Sequence, residues 1–485
     1  MARLRPASAA HRAALPAATA AGRAALAVAT SLLLCLALAA PAFAEVRRAD
    51  VIMGQTVEER GLSVSQCPSI DALYACVMDD EGTVYFERDA TSPTQIASVT
   101  KIMTALVALD AVGEGLVSLD DEVQVSAEAA AVGESTAGLQ EGDVMTLEEA
   151  LYGLLVPSGN DAAVAIAQTV GAVFAGTSAD DDASQQAFID QMNVTAADLG
   201  CVDTVYRNPH GLDDGEFAGD QHSCAADQAL IVKEAMRDET FRAIVGGGDA
   251  TIKVERDGEQ VDIELASTDE FIDMYEHARG VKTGFTDLAG PSFAAAANDG
   301  ERDLYAIVIH SSSEAQRFID AQTLCEWVYG NMIDYALANS DEQVQASFGD
   351  VSGQVPVVAE VSHADWIDRT IPATLSDPDA TAEVFALNGN VSQSFAFDEV
   401  HGAVSAGDKV GTATFKQRNE VIATYDLVAC QDVPAPDFLT GVGIWWDRLF
   451  RSLSGQPTAA ESTVLNATPL INDKTAVVQD AAAQQ

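Results

Sequence analysis

The chain has 485 residues, 74 of them acidic and 26 basic, with a formal charge of −48 at pH 7. Its length allows two or three domains with ample core, and 48% hydrophobic against 21% charged residues is a globular composition. The charge excludes sequence-independent nucleic-acid binding, which needs clustered lysine and arginine, and otherwise reads as a solvated acidic shell that anionic surfaces repel.

Residues 1–44 read as a signal peptide. Arg3, Arg5, Arg12 and Arg23 form a basic start, an apolar run follows from Ala24 to Ala40, and Ala42-Phe43-Ala44 is a small-residue cleavage site before Glu45. The run is near the lower limit for spanning a bilayer, so an uncleaved anchor is the other reading. Beyond it stand Cys67, Cys76, Cys201, Cys224, Cys325 and Cys430. In an exported chain these permit up to three disulfides in unknown pairing, with free buried thiols as the alternative. There is no C-x-x-C, and no metal or cofactor is expected.

Residues 71–88 predict two β-strands around an Asp-Asp-Glu-Gly turn. Next comes QIASVTKIMTALVAL, a helix in which Lys101, one of only seven lysines, is surrounded by apolar residues. A buried ammonium is costly unless it is paired or loses its proton. Ser98 lies at i−3 on the same face, so a lysine with a lowered pKa could act as a base toward its hydroxyl. From Leu147 to Val170 helical spacing is broken at Val156-Pro157-Ser158-Gly159-Asn160, which places Ser158 and Asn160 in a turn between two helices. Residues 176–186 read as an acidic surface loop and 187–199 as a helix. Segments 280–284, 292–298 and 304–312 read as successive strands, followed by a helix over 314–336.

After about residue 340 short β-branched runs and turns replace helical periodicity, which predicts a small β-sandwich over 345–432. Residues 437–454 have apolar Phe438, Val442, Trp445, Leu449 and Leu453 at helical spacing, beside Leu439, Trp446 and Phe450, with Arg448, Arg451 and Asp447 opposite. Such a helix suits the outer face of the cytoplasmic membrane or docking on its own protein, and it is too short to span. Residues 455–485 read as a disordered tail.

Ser98-x-x-Lys101, Ser158-Gly159-Asn160 and Lys282-Thr283-Gly284 occur in that order, the second 60 residues after the first and the third 124 after the second. The set resembles the S-x-x-K, S-x-N and K-T-G motifs of the penicillin-interacting serine acyltransferases. Over residues 67–335 the chain looks more closely like the low-molecular-weight D-alanyl-D-alanine carboxypeptidases, serine peptidase family S11. IASVTKIMTAL, VPSGNDAAVAIA, MNVTAADLG, NPHGL and GVKTGFTDLAG carry the likeness. Cys224, where the family usually has a small residue and threonine nearby, and the acidic loop at 176–186 depart from its pattern.

The resemblance implies an α+β fold: a penicillin-binding, β-lactamase-like transpeptidase domain over 45–340, built of an antiparallel sheet with helices, then an all-β sandwich and an amphipathic anchor helix. It implies removal of the terminal D-Ala from peptidoglycan stem pentapeptides and inhibition by β-lactam antibiotics. Chemistry needs a nucleophile, a base and an oxyanion site; Ser98 would attack and Lys101 would take its proton. The resemblance makes Ser158 a proton relay and sets Asn160 to hold Lys101 and a substrate amide. It gives Lys282 and Thr283 the substrate carboxylate, Gly284 close backbone approach, and the N–H groups of Ser98 and Phe285 the oxyanion. His210 invites a Ser-His-Asp reading, but the lysines already supply a base, so it reads as a loop residue. A class A β-lactamase shares the motifs but needs a glutamate after the second, and Asn160 to Gly215 contain none. A D,D-endopeptidase on wall cross-links and a non-catalytic wall-binding scaffold are the remaining alternatives. The expected location is extracytoplasmic, peripheral to the membrane.

Overall fold

Side chains alternate between the two faces of a strand, and here both faces are apolar. In the strands Tyr74–Asp79 (β3), Ser292–Asn298 (β6) and Asp303–Ile309 (β7), one set, Cys76, Met78, Ala294, Ala296, Tyr305 and Ile307, enters one core. The alternate set, Ala75, Val77, Phe293, Ala295, Leu304 and Val308, enters a second. The computed structural model describes residues 50–52, 55–56, 66–177 and 182–471. The expected signal peptide, residues 1–44, lies outside the described residues.

With Asp50–Ile52 (β1), Gln55–Thr56 (β2), Val84–Arg88 (β4) and Ala278–Gly284 (β5), these strands form a seven-stranded antiparallel sheet in the order β2-β1-β4-β3-β7-β6-β5. Strand β5, which carries Lys282-Thr283-Gly284, is one edge.

The first core lies under a helical layer. Its centre is Lys101–Gly113 (α1), apolar almost all round and accordingly buried. Leu147–Leu155 (α2) starts at a capping box, in which the Glu149 N–H donates to Thr146 Oγ1 (3.2 Å) and the Thr146 N–H to Glu149 Oε2 (3.0 Å). Val156 to Gly159 break the chain as expected, and Asn160–Ala175 (α3) follows. Helix Asp182–Asp198 (α4) begins five residues before the sequence suggests, taking in part of the acidic loop; 178–181 lie outside the described residues. Cys224 is the N-cap of Ala225–Ala235 (α5), its Sγ accepting from Asp227 N at 3.4 Å. The departure at Cys224 thus falls on a position whose need is an acceptor atom. Glu314–Tyr329 (α6) covers the other face of the sheet. It ends at Gly330, not at residue 336: Met332–Ala336 (β8) is a strand, antiparallel to Thr381–Phe385. Alternation of Ile333 and Tyr335 with polar Asp334 outweighs the helical reading.

The C-terminal part of the chain holds a six-stranded antiparallel sheet whose central pair is Glu420–Ala429 and Thr370–Leu375, closed over Val358, Val361, Ile371, Leu375, Phe415 and Leu427. The tail is not disordered through residue 471. Thr463–Val464 add a strand beside Ala359–Ser362, and buried Asn466 donates to Leu337 O at 2.8 Å and Gln393 Oε1 at 2.7 Å. Edge pairing and these polar bonds order a segment whose composition alone lacks a core. Residues 472–485 lie outside the described residues.

Phe438–Ser454 (α7) is a helix capped by Asp437, with no buried residue, and Gly441 and Gly443 do not break it. Arg448 donates to the carbonyls of Ala364 and Trp366, which holds the polar face to the sandwich. The opposite side exposes Phe438 (84%), Leu453 (78%), both tryptophans and Phe450. No helix among the described residues is long and apolar enough to cross a membrane. The cysteines Cys76, Cys201, Cys224, Cys325 and Cys430 are free thiols, so no disulfide forms among them.

Candidate active site

Ser98 lies in a single 3₁₀ turn, Ala97–Thr100, that runs into α1, so Lys101 opens the α-helix. Ala97 has φ +49, a strained conformation for a residue with a Cβ. Two close backbone approaches hold the turn. A Cβ on Gly284 would lie 2.7 Å from Ile96 O, and one on Gly211 would lie 1.9 Å from Ala97 O. Gly284 therefore lets its strand lie against the serine turn, a task beyond the substrate approach expected from sequence. Gly211, in the left-handed region at φ +96, does the same for the loop Asn208–Leu212.

Lys101 is fully buried, and its Nζ lies 2.8 Å from Ser98 Oγ, 2.7 Å from Asn160 Oδ1 and 2.9 Å from His210 O. The Asn160 amide is oriented by its Nδ2, which donates to Gly133 O at 2.9 Å. Burial pushes the Lys101 pKa well below the usual lysine range, and the Lys282 charge adds to the shift. A neutral amine has two N–H donors and one lone pair. The Asn160 and His210 oxygens can only accept, so they take both donors. The lone pair is then left for the Ser98 hydroxyl, which must donate its proton along the 2.8 Å contact. The hydrogen-bond count by itself orients a serine proton toward a base.

Ser158 lines the same cleft at φ +65, with its Oγ closed off from solvent and without a hydrogen-bond partner. Strain and an unspent hydroxyl together mark a position held for something other than stability. His210 takes part through its carbonyl. Its ring is buried against Phe217 at 4.7 Å, Nδ1 accepts from Leu212 N at 3.2 Å, and burial with Lys101 pushes its pKa down to about 3. His210 is thus not part of a Ser-His-Asp arrangement.

The cleft, of about 440 Å³, is lined by Ser98, Ser158, Asn160, Thr283, Gly284 and Phe285, among others. Lys282 is buried directly behind Thr283, and its pKa is pushed down to about 7 by burial, with Asp269 opposing and Arg317 adding to the shift. Thr283 Oγ1 is 2.8 Å from Thr268 Oγ1. Phe285 is half exposed at the rim, and Thr286 Oγ1 donates to Asp213 Oδ2 at 2.7 Å. Of the eight expected residues, Ser98, Ser158, Asn160, Thr283, Gly284 and Phe285 line this cleft, while Lys101 and Lys282 are buried outside its lining. Sequence reasoning missed Thr268, Asp213 and Arg317. Arg317 lies on α6, is buried, and its Nε has no partner. In the chain it is an ordinary cation one turn into a helix, and only the packing of α6 beside β5 brings it to the cleft. Among the described residues no group of His, Cys, Asp or Glu is placed to hold a metal.

Residues 62–313 match the model of the peptidase S11 family, D-alanyl-D-alanine carboxypeptidase. The chain is 27% identical over 364 residues to the D-alanyl-D-alanine carboxypeptidase DacF of Bacillus subtilis, covering 74% of this chain and 85% of that one. It is 31% identical over 251 residues to DacB2 of Mycobacterium tuberculosis, with 51% and 78% covered. Among solved structures, a mutant of the Streptomyces K15 DD-transpeptidase superposes with TM-score 0.51 at 30% identity, covering 54% of this chain and all of that one. The carboxypeptidase DacD of Francisella tularensis reaches the same TM-score at 22% identity over 76% of this chain, a likeness of fold.

Proposed function

This chain belongs to the D-alanyl-D-alanine carboxypeptidase family, peptidase S11, and from that membership we propose that Ser98 is its nucleophile and Lys101 the base that activates it. The supporting observation is the buried Lys101 amine, whose two acceptor-only partners leave its lone pair to the Ser98 hydroxyl.

The substrate is the D-Ala-D-Ala end of a peptidoglycan stem pentapeptide. Ser98 Oγ attacks the carbonyl carbon of the penultimate residue as Lys101 takes its proton, and the oxyanion rests on the N–H groups of Ser98 and Phe285. Ser158 relays a proton to the amine of the departing D-Ala, which fits its unspent hydroxyl. Asn160 holds Lys101 and a substrate amide. Lys282, Thr283 and Arg317 bind the terminal carboxylate, and two buried cations beside a hydroxyl suit that anion. Water then attacks the acyl-enzyme, releasing the shortened peptide and restoring Ser98. β-Lactams acylate the same serine.

Incubating the protein without residues 1–44 with a fluorescent penicillin, beside a Ser98→Ala variant, tests this by intact mass. One adduct on the wild type and none on the variant is expected, with D-Ala released from a stem pentapeptide at a rate at least about 10⁴-fold above the variant. No adduct with the antibiotic intact would leave only a wall-binding scaffold. Hydrolysis of the antibiotic would mean a β-lactamase, and cleavage confined to cross-linked dimers an endopeptidase.

The chain is exported by residues 1–44 and rests on the outer face of the cytoplasmic membrane through α7, whose apolar face points away from the sandwich that Arg448 grips. Zwitterionic vesicles are the right probe, because a charge of −48 opposes anionic ones. The full mature chain is expected to sediment with phosphatidylcholine vesicles, and Trp445→Asp with Phe450→Asp to stay in solution. A wild type that also stays in solution overturns the attachment.

A further inference from the structure

Gly284 is a glycine because its strand must lie on the serine turn, and that choice leaves a weakness. Glycine has the widest φ/ψ freedom of any residue, so the peptide plane that follows it, which carries the Phe285 N–H, is set only loosely by the chain itself. The sheet stops at the same place. The last ladder pair of β5 with β6 is Gly284 with Ser292, and Phe285 is half exposed at the cleft rim. A donor meant for an oxyanion works only if it is fixed before the charge develops.

Thr286 supplies a fixed point on the other side of Phe285. Its Oγ1 donates to Asp213 Oδ2 at 2.7 Å and accepts from Ala289 N at 3.0 Å, and its carbonyl accepts from Gly290 N at 2.9 Å. The turn 286–290 is thus closed on itself, and the bond to Asp213 ties it to the loop 208–213. Asp213 is buried, at 5% exposure. Its loop is braced by Asn208, whose Nδ2 donates to the carbonyl of the preceding Leu212 at 2.9 Å and whose Oδ1 accepts from Gly211 N at 2.7 Å. The same loop meets Lys101 Nζ through His210 O at 2.9 Å and lays Gly211 against Ala97 O. The loop is therefore registered on the base and on the serine turn, and Asp213 adds a third contact, to the residue next to Phe285.

We propose that Asp213 is a positioning residue, which through Thr286 fixes the Phe285 N–H in the frame of Ser98 so that both oxyanion donors point at one place. The role rests on the reading of the Ser98 and Phe285 N–H groups as the oxyanion site. Asp213 acts through Thr286 rather than on the reacting atoms. Gly284 leaves no room for a Cβ beside Ile96 O and Val99 N, and Thr286 is pinned to Asp213, so Phe285 is bracketed on both sides. Peptide planes are rigid, and a short stretch held at each end has few dihedrals left to turn. Without the side chain of Asp213 the turn 286–290 keeps its own bonds but loses its tie to the loop that carries His210 and Gly211, and the strand end swings from Gly284. A misplacement of about 1 Å is enough to lose about 10²-fold in rate. What Asp213 supplies is an acceptor, so an amide replaces the carboxylate and a methyl does not.

The test uses the mature chain and a peptide ending in D-alanyl-D-lactate, both as the ordinary ester and as the thionoester with sulfur in place of the attacked carbonyl's oxygen. Sulfur accepts hydrogen bonds poorly, so an enzyme that relies on two N–H donors is acylated faster by the ester, and the ratio of the two rates reads the alignment of the donors. Asp213→Ala and Thr286→Val are expected to be acylated by the ester about 10–100-fold more slowly and to lower the ester-to-thionoester ratio at least about tenfold. The double variant should fall no more than about threefold below either single one, because both remove the same bond. Asp213→Asn and Thr286→Ser should keep the ratio. A merely structural lesion lowers both rates together, so a ratio unmoved in folded Asp213→Ala or Thr286→Val, or lost as fully in Asp213→Asn, overturns the proposal. A wild type that is acylated by both esters without preference overturns the oxyanion reading and the proposal with it, and a wild type inert to both sinks the catalytic reading as a whole.

Discussion

Lys101→Met should slow acylation of Ser98 by about 10²–10⁴-fold, the range a positioned general base contributes, in a protein that still folds. Methionine fills the apolar surroundings of Ile102, Met103 and Ala105, and no buried amine then has to be kept neutral. The cost is two unsatisfied acceptors, Asn160 Oδ1 and His210 O, at about 1–3 kcal/mol for each such group. The pH profile separates a base from a structural lysine. In the wild type, acylation rises as pH climbs through the lowered Lys101 pKa, because only the neutral amine accepts a proton, and falls as Lys282 discharges above about 7. Lys101→Met should lose the rising limb and keep the falling one. Stopped-flow acylation across pH, with circular dichroism as the check on folding, measures both. A variant that retains the rising limb would mean that another group takes the serine proton.

Gly211→Ala should disrupt the site and unfold the protein at markedly lower temperature, although it adds one methyl and changes none of the eight expected site residues. The added Cβ would sit 1.9 Å from Ala97 O and 2.9 Å from Thr100 Oγ1, and φ +96 is itself closed to alanine. Backbone cannot yield on either side: Asn208 Oδ1 accepts from Gly211 N at 2.7 Å, and Lys101 holds the neighbouring His210 carbonyl. Relief requires the loop to lift from the serine turn, taking an acceptor from Lys101 with it. A destabilisation of at least about 3 kcal/mol, at the upper end for a single substitution, and a loss of acylation larger than the loss of folded protein are expected from calorimetry and penicillin labelling. Gly82→Ala, also at positive φ but near only the flexible end of Lys233, is the control for conformational strain without a backbone clash. If the two variants melt together, close approach is not what Gly211 provides.

Much of this could be read along the chain, for identifiable reasons. Local rules settle local features: the break at Pro157 and Gly159, the strand pattern of residues 292–298, the helix over 438–454 and the spacing of serine to lysine by one turn. The errors fell where two local signals compete. Met332–Ala336 follows a helix without an obvious stop beyond Gly330, and only its partner strand, 45 residues later, decides for β. The tail after Gly455 has the composition of a solvated segment, yet Asn466 fills a polar gap between Leu337 and Gln393 that belongs to the sandwich. Cys224 looked like a departure from pattern and proved to be a helix cap.

The sequence by itself pointed to which residues meet in the site, because three short motifs in fixed order carry the proposed nucleophile, base and carboxylate anchor. The apolar residues around Lys101 raised the question of its burial, which the structure answers. Only the tertiary structure decided what that burial does. The acceptors Asn160 and His210 around Lys101 Nζ, the backbone clash that Gly211 avoids, and the arrival of Arg317 at Gly284 come from residues 33 to more than 100 apart in sequence, brought together by the packing of β5 against the serine turn and α6. Charge states follow from three-dimensional neighbours and solvent exclusion, which no one-dimensional pattern contains.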